Sequence, residues 1–356
     1  MGIKLFTNDL KMEKKKDIFN FLFNILIMKA AVLTEKGIEI KNIPKPNIGE
    51  HDILIKNEAV GICGTDLSII RGDYKIPLPR ILGHEFAGYI EEKGAKVKNF
   101  KIGDRVTSEI NVSCGECYFC KSGQRTQCLS VKALGIFLDG AFSEYTVTPD
   151  INVHKIGHLS FDEATFIEPL AAAINTYKMS PLQKDHKNVV IIGPGKLGLL
   201  ILQVTKLLKR NVIVIGRSHL DIAKKLGADY IIDITKENYI ERVMELTDNI
   251  GADVVIETTG NSGGIEMGMK IIRNRGLFCL KSTHGLMVPI DITALVVKEL
   301  HFQGSRCGNF QEALKIIDKI KLKPLISGIY PLDTIKLAIN EALKRENIKI
   351  IVHPNE

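Results

Sequence analysis

Two hydrophobic patterns divide the chain near residue 160. From Met28 to about Asp150, short apolar runs rich in β-branched and aromatic residues are interrupted by glycine and proline. This pattern predicts an irregular unit built of β-strands. After Phe161, apolar runs alternate with amphipathic segments of helix length, which predicts βαβ units and a parallel sheet.

The same pattern locates individual elements. Met28 begins an apolar run that predicts an edge strand. The other strands predicted in the first unit are Ile53–Ile55, Phe86–Ile90, Arg105–Thr107 and Glu144–Val147. The second unit is predicted to contain strands at Val189–Gly193, Val212–Gly216, Tyr230–Asp233, Val254–Glu257 and Leu277–Lys281, with helices near 196–209, 219–226, 237–247 and 264–273. A further helix near Thr334–Lys344 and a strand at Ile348–Val352 form a tail, which on this pattern alone extends either unit.

Composition and charge narrow the functional classes. The length of 356 residues fits two domains of ~100–200 residues each. Hydrophobic residues make up 45% and charged residues 25%, as in globular proteins, and no apolar run is long enough to span a membrane. The net charge of +7, from 48 basic and 41 acidic residues, is spread thinly, so no nucleic-acid partner is expected.

The first 27 residues carry a separate signal. Lys14–Lys16 followed by the apolar run Ile18–Ile27 has the layout of a signal peptide, but no cleavage site follows it. Met28 is itself a possible translation start. A peripheral extension or a misassigned start is the favoured interpretation, with a docked amphipathic helix and a targeting segment as the alternatives.

Four of the seven cysteines lie within fifteen residues. Such clustering points to metal binding in a reducing compartment, which predicts a cytoplasmic protein. Cys114, Cys117, Cys120 and Cys128 have the spacing C-x2-C-x2-C-x7-C, which suits a closed tetrahedral zinc site that holds a loop, with Gly115 and Gly123 permitting tight turns. An iron–sulfur cluster is the weaker alternative, because ferredoxin-type runs have a last gap of three residues followed by proline. A DNA-binding zinc ribbon is weaker still, because the local charge is mixed.

A glycine-rich turn predicts a dinucleotide site. Gly193-Pro194-Gly195-Lys196-Leu197-Gly198 directly follows the apolar run Val189–Ile192 and opens a predicted helix. In such turns the first glycine allows the tight bend, the second lets the backbone approach the pyrophosphate, and the third lets helix and sheet pack closely.

The end of the next strand bears on cofactor choice. NAD-binding turns usually place Asp or Glu there for the ribose 2′-hydroxyl. This chain has Gly216-Arg217-Ser218 instead, which favours the 2′-phosphate of NADP. On this interpretation Gly216→Asp would reverse the preference and Arg217→Ala would weaken NADPH. The alternative is that Arg217 is a solvated loop charge and NAD is used.

Further candidates complete a recognisable order of motifs. They are Cys63 in Gly61-Ile62-Cys63-Gly64-Thr65-Asp66, His84-Glu85 in Gly83-His84-Glu85-Phe86-Ala87-Gly88, and Glu168-Pro169-Leu170-Ala171. Together with the four cysteines and the glycine-rich turn, they resemble the zinc-dependent medium-chain alcohol dehydrogenase family over nearly the whole chain from Met28. Glu168-Pro169-Leu170 and Ser305-Arg306-Cys307-Gly308-Asn309 look more like its sorbitol, polyol and threonine dehydrogenase branch.

The resemblance implies an α/β fold with two zinc ions per chain. A GroES-like irregular β catalytic domain (28–160) is followed by a Rossmann domain with a doubly wound parallel sheet (161–321). Residues 322–356 return to the catalytic domain, and 1–27 remain an extension. The resemblance also implies a homo-oligomer, a dimer or a tetramer.

The resemblance assigns roles residue by residue. Cys63 and His84 are expected to bind the catalytic zinc, with Glu168 or alternatively Glu85 as third ligand, and Asp66 is expected to orient His84. Thr65 matches the hydroxyl that takes the substrate proton. Ser68 departs from the family at a position where many relatives carry a relay histidine. Arg306 is expected to reach Glu168 or a substrate hydroxyl, with a salt bridge at the domain boundary as the alternative.

The function implied is hydride transfer between a secondary alcohol, polyol or sugar hydroxyl and NAD(P), with NADP favoured and a small alcohol or carbonyl compound as substrate. Zinc would polarise the substrate oxygen. One alternative is a zinc-free reductase of quinones or enones, against which both cysteine sites argue. The other is a catalytically silent dinucleotide-binding relative.

Overall fold

The computed structural model of the chain describes residues 27–283, 285 and 287–356. Apart from Ile27, the predicted N-terminal extension lies outside the described residues. Within these ranges, no helix combines the length and the apolar character needed to cross a membrane.

The first half of the chain forms an irregular β unit. Its strands are β1 (Ile27–Thr34), β2 (Gly37–Pro44), β3 (Asp52–Gly61), β4 (Arg80–Ile81), β5 (Glu85–Lys93), β6 (Arg105–Ser108), β7 (Asn111–Val112), β8 (Lys132–Ala133), β9 (Tyr145–Pro149) and β10 (Val153–Lys155). Two short helices, α1 (Gly64–Ile70) and α2 (Tyr118–Lys121), interrupt these strands.

The prediction of an edge strand at Met28 is wrong. β1 lies between β2 and β4 in a three-stranded sheet. A hairpin turn at Gly37, whose φ is +104°, brings β2 back along the full length of β1, and β4 covers two residues of the opposite edge. Both neighbours are polar or short, which is why the sequence pattern did not reveal them.

The second half forms a parallel sheet that is covered on both faces. Its strands are β11 (Asn188–Ile192), β12 (Asn211–Gly216), β13 (Tyr230–Asp233), β14 (Ala252–Glu257), β15 (Ile272–Leu280) and β16 (His301–Gly304). Its helices are α3 (Phe161–Ala164), α4 (Ile167–Met179), α5 (Lys196–Leu207), α6 (Leu220–Lys225), α7 (Tyr239–Leu246), α8 (Gly263–Ile271), α9 (Ile292–Val297) and α10 (Phe310–Ile316).

Alternate residues of one strand enter different hydrophobic clusters. Val189 and Ile191 pack on one face of the sheet, whereas Val190 and Ile192 pack on the other. Because both faces are buried, the strands are continuous apolar runs rather than alternating ones. The five strands and four helices predicted in this half are present with bounds that differ by a few residues, the largest difference being the earlier start of β15. β16 and the helices α3, α4, α9 and α10 were not predicted. The predicted fold class is confirmed.

The C-terminal tail joins the sheet of the first half. It contains β17 (Ile326–Pro331), α11 (Ile335–Leu343) and β18 (Lys349–His353). β18 pairs antiparallel with β3, in the sheet order β10-β6-β5-β3-β18-β17. The domain boundaries drawn from the sequence stay a prediction.

Candidate active site

The strand order locates a cleft. In the parallel sheet the order is β13-β12-β11-β14-β15-β16, so the chain reverses direction across the sheet at β11. Ligands of such sheets bind beyond the carboxyl ends of the strands at this switch point. A groove there, lined by Gly195, Thr258 and Thr259, also reaches Cys63 and Thr65 of the first half.

Asp66 organises the two predicted zinc ligands that lie on different loops. Its buried carboxylate accepts the backbone N–H of Cys63 through Oδ2 (2.8 Å) and that of Gly83 through Oδ1 (3.3 Å). Oδ1 also lies 3.3 Å from Nδ1 of His84, as a charge contact rather than an aligned hydrogen bond. Burial opposes protonation, but Asp66 and Cys63 raise the pKa of His84 well above its ordinary value. The contact on Nδ1 leaves Nε2 for a metal.

Glu85 is buried between two lysines. Oε1 accepts a hydrogen bond from the ammonium of Lys196 in the glycine-rich turn, and Oε2 accepts one from the ammonium of Lys349 in β18. Burial would raise the pKa of Glu85, but the two lysines hold it at about 2. Lys349 is fully buried and its pKa is lowered by burial to about 8; it also donates to the carbonyl of Thr165.

Glu168 lies at the N-terminal end of α4 and lines the same cavity as Cys63, His84 and Glu85. Burial, and secondarily the charge of Glu85, raise its pKa. Among the described residues, none forms a hydrogen bond or an ion pair with its side chain. The charges of His84, Lys196 and Lys349 act on the carboxylate only from a distance and oppose this rise in pKa, so a cation bound directly to it would stabilise its charged form.

The donor set fits a catalytic zinc ion. Ligand atoms of Cys63, His84 and Glu85 lie within 4.8 Å of one another, a group that does not include Glu168. Thiolate, imidazole and carboxylate are the ligands of catalytic zinc sites, which leave one position open. By distance, Glu85 is thus the carboxylate closest to Cys63 and His84. Of the two carboxylates, however, Glu85 is paired directly with lysines and Glu168 is not.

The other predicted catalytic residues are distributed around this point. Thr65 lines both the groove and the cavity, whereas Ser68 lines only the groove and accepts a hydrogen bond from Arg71 (3.3 Å). Arg306 lines the cavity, but its guanidinium donates to Asn111 of β7 (2.8 Å). The expected contact between Arg306 and Glu168 is therefore not formed, since Asn111 holds the side chain across the cleft.

The four-cysteine lobe also fits its predicted ion. Sγ–Sγ distances are 3.5 Å for Cys114–Cys128, 3.6 Å for Cys117–Cys120 and 3.9 Å for Cys114–Cys120. Tetrahedral ligands with Zn–S of about 2.3 Å stand roughly 3.8 Å apart. Gly115 and Gly123 have φ of +79° and +78°, as the predicted turns require. Backbone N–H groups lower the pKa of Cys114, Cys117 and Cys128, which favours thiolates, whereas desolvation and the thiol of Cys117 raise the pKa of Cys120 to about 11.

The glycine-rich turn has the geometry expected of a dinucleotide site. Gly193 has φ of +97°. A Cβ on Gly198 would lie 2.2 Å from the carbonyl oxygen of Gly193, so only glycine fits at position 198. A Cβ on Gly195 would meet no protein atom within 4 Å, so space is open at the N-terminus of α5, where a pyrophosphate would bind. Leu197 lines the groove beside this space. Lys196 differs from the expectation, because its ammonium points to Glu85 instead.

The loop after β12 lies beside this turn. Arg217 is exposed, and Ser218 is half-buried with its hydroxyl 3.5 Å from Nδ1 of His219. Gly216 is buried against Pro194. The loop thus places a guanidinium and a hydroxyl, and no carboxylate, directly after the residue that contacts the glycine-rich turn.

Two buried lysines at this site were not predicted from the sequence. Lys349 pairs with Glu85 from a strand 264 residues away, and buried Lys281 lines both cavities while donating to the carbonyls of Ala172 and Ser305. The sequence contained one indication that Lys349 is buried, because this lysine directly precedes the apolar run Ile350-Ile351-Val352 in a predicted strand.

Comparisons with known proteins agree with this geometry. Residues 49–158 match the family model of the alcohol dehydrogenase GroES-like domain, and residues 197–321 match that of zinc-binding dehydrogenases. The chain is 35% identical to D-arabitol-phosphate dehydrogenase of Enterococcus avium over 87% of this chain and 92% of the relative. It is 33% identical to sorbitol dehydrogenase of Halalkalibacterium halodurans over 92% and 99%, respectively.

A solved structure from Sinorhizobium meliloti, described as a zinc-binding dehydrogenase bound to NADP, superposes with a TM-score of 0.85. Its sequence is 29% identical, and the match covers 92% of this chain and 99% of that one. The resemblance stated from the motifs is therefore confirmed.

The two metal sites should differ in lability. We expect two zinc ions per chain by elemental analysis. Mild chelation should remove the ion near Cys63 and abolish activity while the folded circular dichroism signal persists, because the four-cysteine site is closed and coupled to folding. One zinc ion per chain, or iron with sulfide, would show that one cysteine group is misassigned.

Proposed function

The chain belongs to the zinc-dependent medium-chain alcohol dehydrogenase family, in its polyol-dehydrogenase-like branch, and from this premise we propose which residues carry its hydride transfer. It is an NAD(P)-dependent zinc alcohol or polyol dehydrogenase. The observation that carries the residue assignment is the convergence of Cys63, His84 and a carboxylate at the point where the substrate cavity of about 380 Å³ meets the dinucleotide groove.

Cys63, His84 and Glu168 are the catalytic zinc ligands in this proposal. Each carboxylate oxygen of Glu85 already accepts a hydrogen bond from a lysine. Moving this carboxylate to the metal would leave the buried ammonium of Lys349 without its anionic partner. Glu168 has no such commitment. With one thiolate and one carboxylate, the site neutralises Zn²⁺, which when bound polarises the substrate oxygen.

Thr65 takes the substrate proton. Thr65 lines both the cavity and the groove, which supports a position for its side chain near both substrate and cofactor. Ser68 lies three residues further along α1, lines the groove and accepts a hydrogen bond from Arg71, whose Nε in turn donates to Asp73 (2.8 Å). Ser68 and water pass the proton to solvent in place of a histidine.

NADP is the preferred cofactor. Gly216 supplies no carboxylate to the ribose, and the exposed guanidinium of Arg217 is available to the 2′-phosphate. One charge-assisted hydrogen bond contributes about 1.5–3 kcal/mol, or roughly ten- to a hundredfold in affinity. This is enough for a preference but leaves NAD usable.

The substrate is a polyol, and a phosphorylated polyol is the first to test. Three basic residues, Lys196, Lys281 and Arg306, line the cavity. The amines of both lysines are occupied by protein acceptors, whereas Arg306 uses one terminal nitrogen on Asn111. Its remaining donors suit a phosphate or a distal hydroxyl. The likeness to D-arabitol-phosphate dehydrogenase supports this order.

The assembly is a dimer formed through one edge of the parallel sheet. β16 is the last strand at this edge, and nearby apolar side chains are strongly exposed. Met287, Ile292, Val296 and Val297 are 98%, 64%, 66% and 74% exposed. Among residues 27–283, 285 and 287–356, no strand pairs with the outer edge of β16, and such an edge beside an apolar patch favours association.

The compartment is the reducing cytoplasm. All seven cysteines are free thiols, and four of them form the lobe that zinc requires in the thiolate state. Oxidising conditions would compete with metal binding by pairing these thiols.

The third ligand is tested with Glu168→Gln against Glu85→Gln. Glu168→Gln should lower zinc content from two ions to one and leave NADPH binding nearly unchanged. Glu85→Gln should retain both ions but destabilise the fold, by about 3–5 kcal/mol if Lys349 stays charged without a partner. Elemental analysis and thermal unfolding distinguish the two. Zinc loss in Glu85→Gln alone would make Glu85 the ligand.

The substrate class is tested by a kcat/KM screen of D-arabitol phosphate, sorbitol, threonine and 2,3-butanediol with both cofactors. We expect a polyol or its phosphate to be best. Arg306→Lys should lower kcat/KM for the phosphorylated substrate about tenfold or more, since the planar bidentate contact is lost. Threonine as the best substrate would contradict the proposal.

The cofactor proposal is tested by Arg217→Ala. The dissociation constant for NADPH should rise roughly ten- to a hundredfold while that for NADH changes little, because only NADPH carries the phosphate. Lys236→Ala, at a solvent-exposed lysine, is the control. An unchanged NADPH affinity would mean that Arg217 faces solvent.

The dimer is tested by light scattering. The unmodified chain should have twice the 39.6 kDa mass of one copy, and Val297→Asp should shift it towards the monomer. Leu337→Asp, at an exposed leucine outside this face, should not. A monomeric unmodified chain would contradict the proposal.

A further inference from the structure

The glycine that ends β12 is in contact with the proline of the glycine-rich turn. A Cβ on Gly216 would lie 2.4 Å from Cδ and 2.7 Å from Cγ of Pro194. Such distances are far inside van der Waals contact. Both clashing atoms belong to the pyrrolidine ring, and an alanine at position 194 would have neither.

Neither partner is free to move away. Gly193, which precedes Pro194, is held by two hydrogen bonds. Its backbone N–H donates to the carbonyl of Ile215 (2.9 Å), and its carbonyl accepts from the hydroxyl of Thr258 (2.7 Å). The ring nitrogen Nδ1 of His219 lies 3.1 Å from the carbonyl oxygen of Pro194. On the strand side, the N–H of Ile234 donates to the carbonyl of Gly216 (3.1 Å). The proline ring is itself rigid, so a rotamer change offers no relief.

We infer that Pro194 is a specificity-determining residue that acts through position 216. While Pro194 is present, no side chain fits at 216, including the Asp or Glu that would bind the ribose hydroxyls of NAD. The choice between NAD and NADP therefore depends on a residue of the pyrophosphate turn as well as on Arg217. This inference rests on the proposed cofactor site.

The sequence-based expectation for Gly216→Asp changes accordingly. That substitution was expected to reverse the cofactor preference by repelling the 2′-phosphate. In this structure the clash with Pro194 would distort the loop that binds either cofactor. Gly216→Asp alone should thus weaken both NADPH and NADH rather than exchange them.

The test is a double-mutant cycle at positions 194 and 216. Gly216→Ala, Pro194→Ala and the double variant are compared by thermal unfolding and by dissociation constants for NADPH and NADH. Gly216→Ala alone should lower Tm and weaken both cofactors about tenfold or more, and Pro194→Ala should cancel most of that loss. Gly304→Ala is the matched stability control, because Gly304 ends a strand of the same sheet and its Cβ would meet nothing within 4 Å.

Specificity is read from Pro194→Ala combined with Gly216→Asp. This variant should favour NADH by roughly ten- to a hundredfold relative to the unmodified chain, through a charge-assisted bond to the ribose. Additive effects of the two alanine substitutions, or retained NADPH preference in the aspartate double variant, would overturn the inference. A preference for NADH in the unmodified chain would instead refute the role proposed for Arg217, and the coupling between 194 and 216 would remain measurable.

Discussion

The buried carboxylate of Glu85, held between Lys196 and Lys349, is the interaction on which the cleft depends. It joins the start of β5, the first turn of α5 and the start of β18, three segments far apart in sequence. Buried charges persist only when they are paired, so each segment is fixed relative to the other two. His84 directly precedes Glu85, and the ion pairs therefore also restrict the position of this proposed zinc ligand.

The same network links the cofactor turn to the metal site. Lys196 begins the helix whose N-terminus faces the open space at Gly195, yet its ammonium reaches into the first half of the chain. Within the first half of the chain, the carboxylate of Asp66 links two further loops by accepting the backbone N–H groups of Cys63 and Gly83. Dinucleotide groove and metal ligands are thus parts of one hydrogen-bonded assembly, which is why a substitution in the turn is expected to affect both cofactor choice and stability.

Local patterns predicted the parts that depend on neighbouring residues. The parallel strands were predicted closely because burial on both faces makes them continuous apolar runs ended by glycine, as at Ile192-Gly193. Cysteine spacing predicted the four-cysteine lobe for a similar reason. The direction of the Lys196 side chain, the partner of Lys349 and the contact of Arg306 with Asn111 depend on residues 111 to 264 positions away. Spacing along the chain carries no information on those contacts, and it also did not show that Pro194 touches Gly216.

In the arrangement proposed for the active site, Glu85 stays paired with its lysines while Glu168 completes the zinc site. A crystal structure of the zinc-loaded protein, with the metal located by anomalous scattering at the zinc edge, tests it directly. We expect zinc bound by Sγ of Cys63, Nε2 of His84 and a carboxylate oxygen of Glu168, with Glu85 still paired to Lys349. A carboxylate oxygen of Glu85 within about 2.2 Å of the zinc, and Lys349 displaced from it, would show that Glu85 is the third ligand instead.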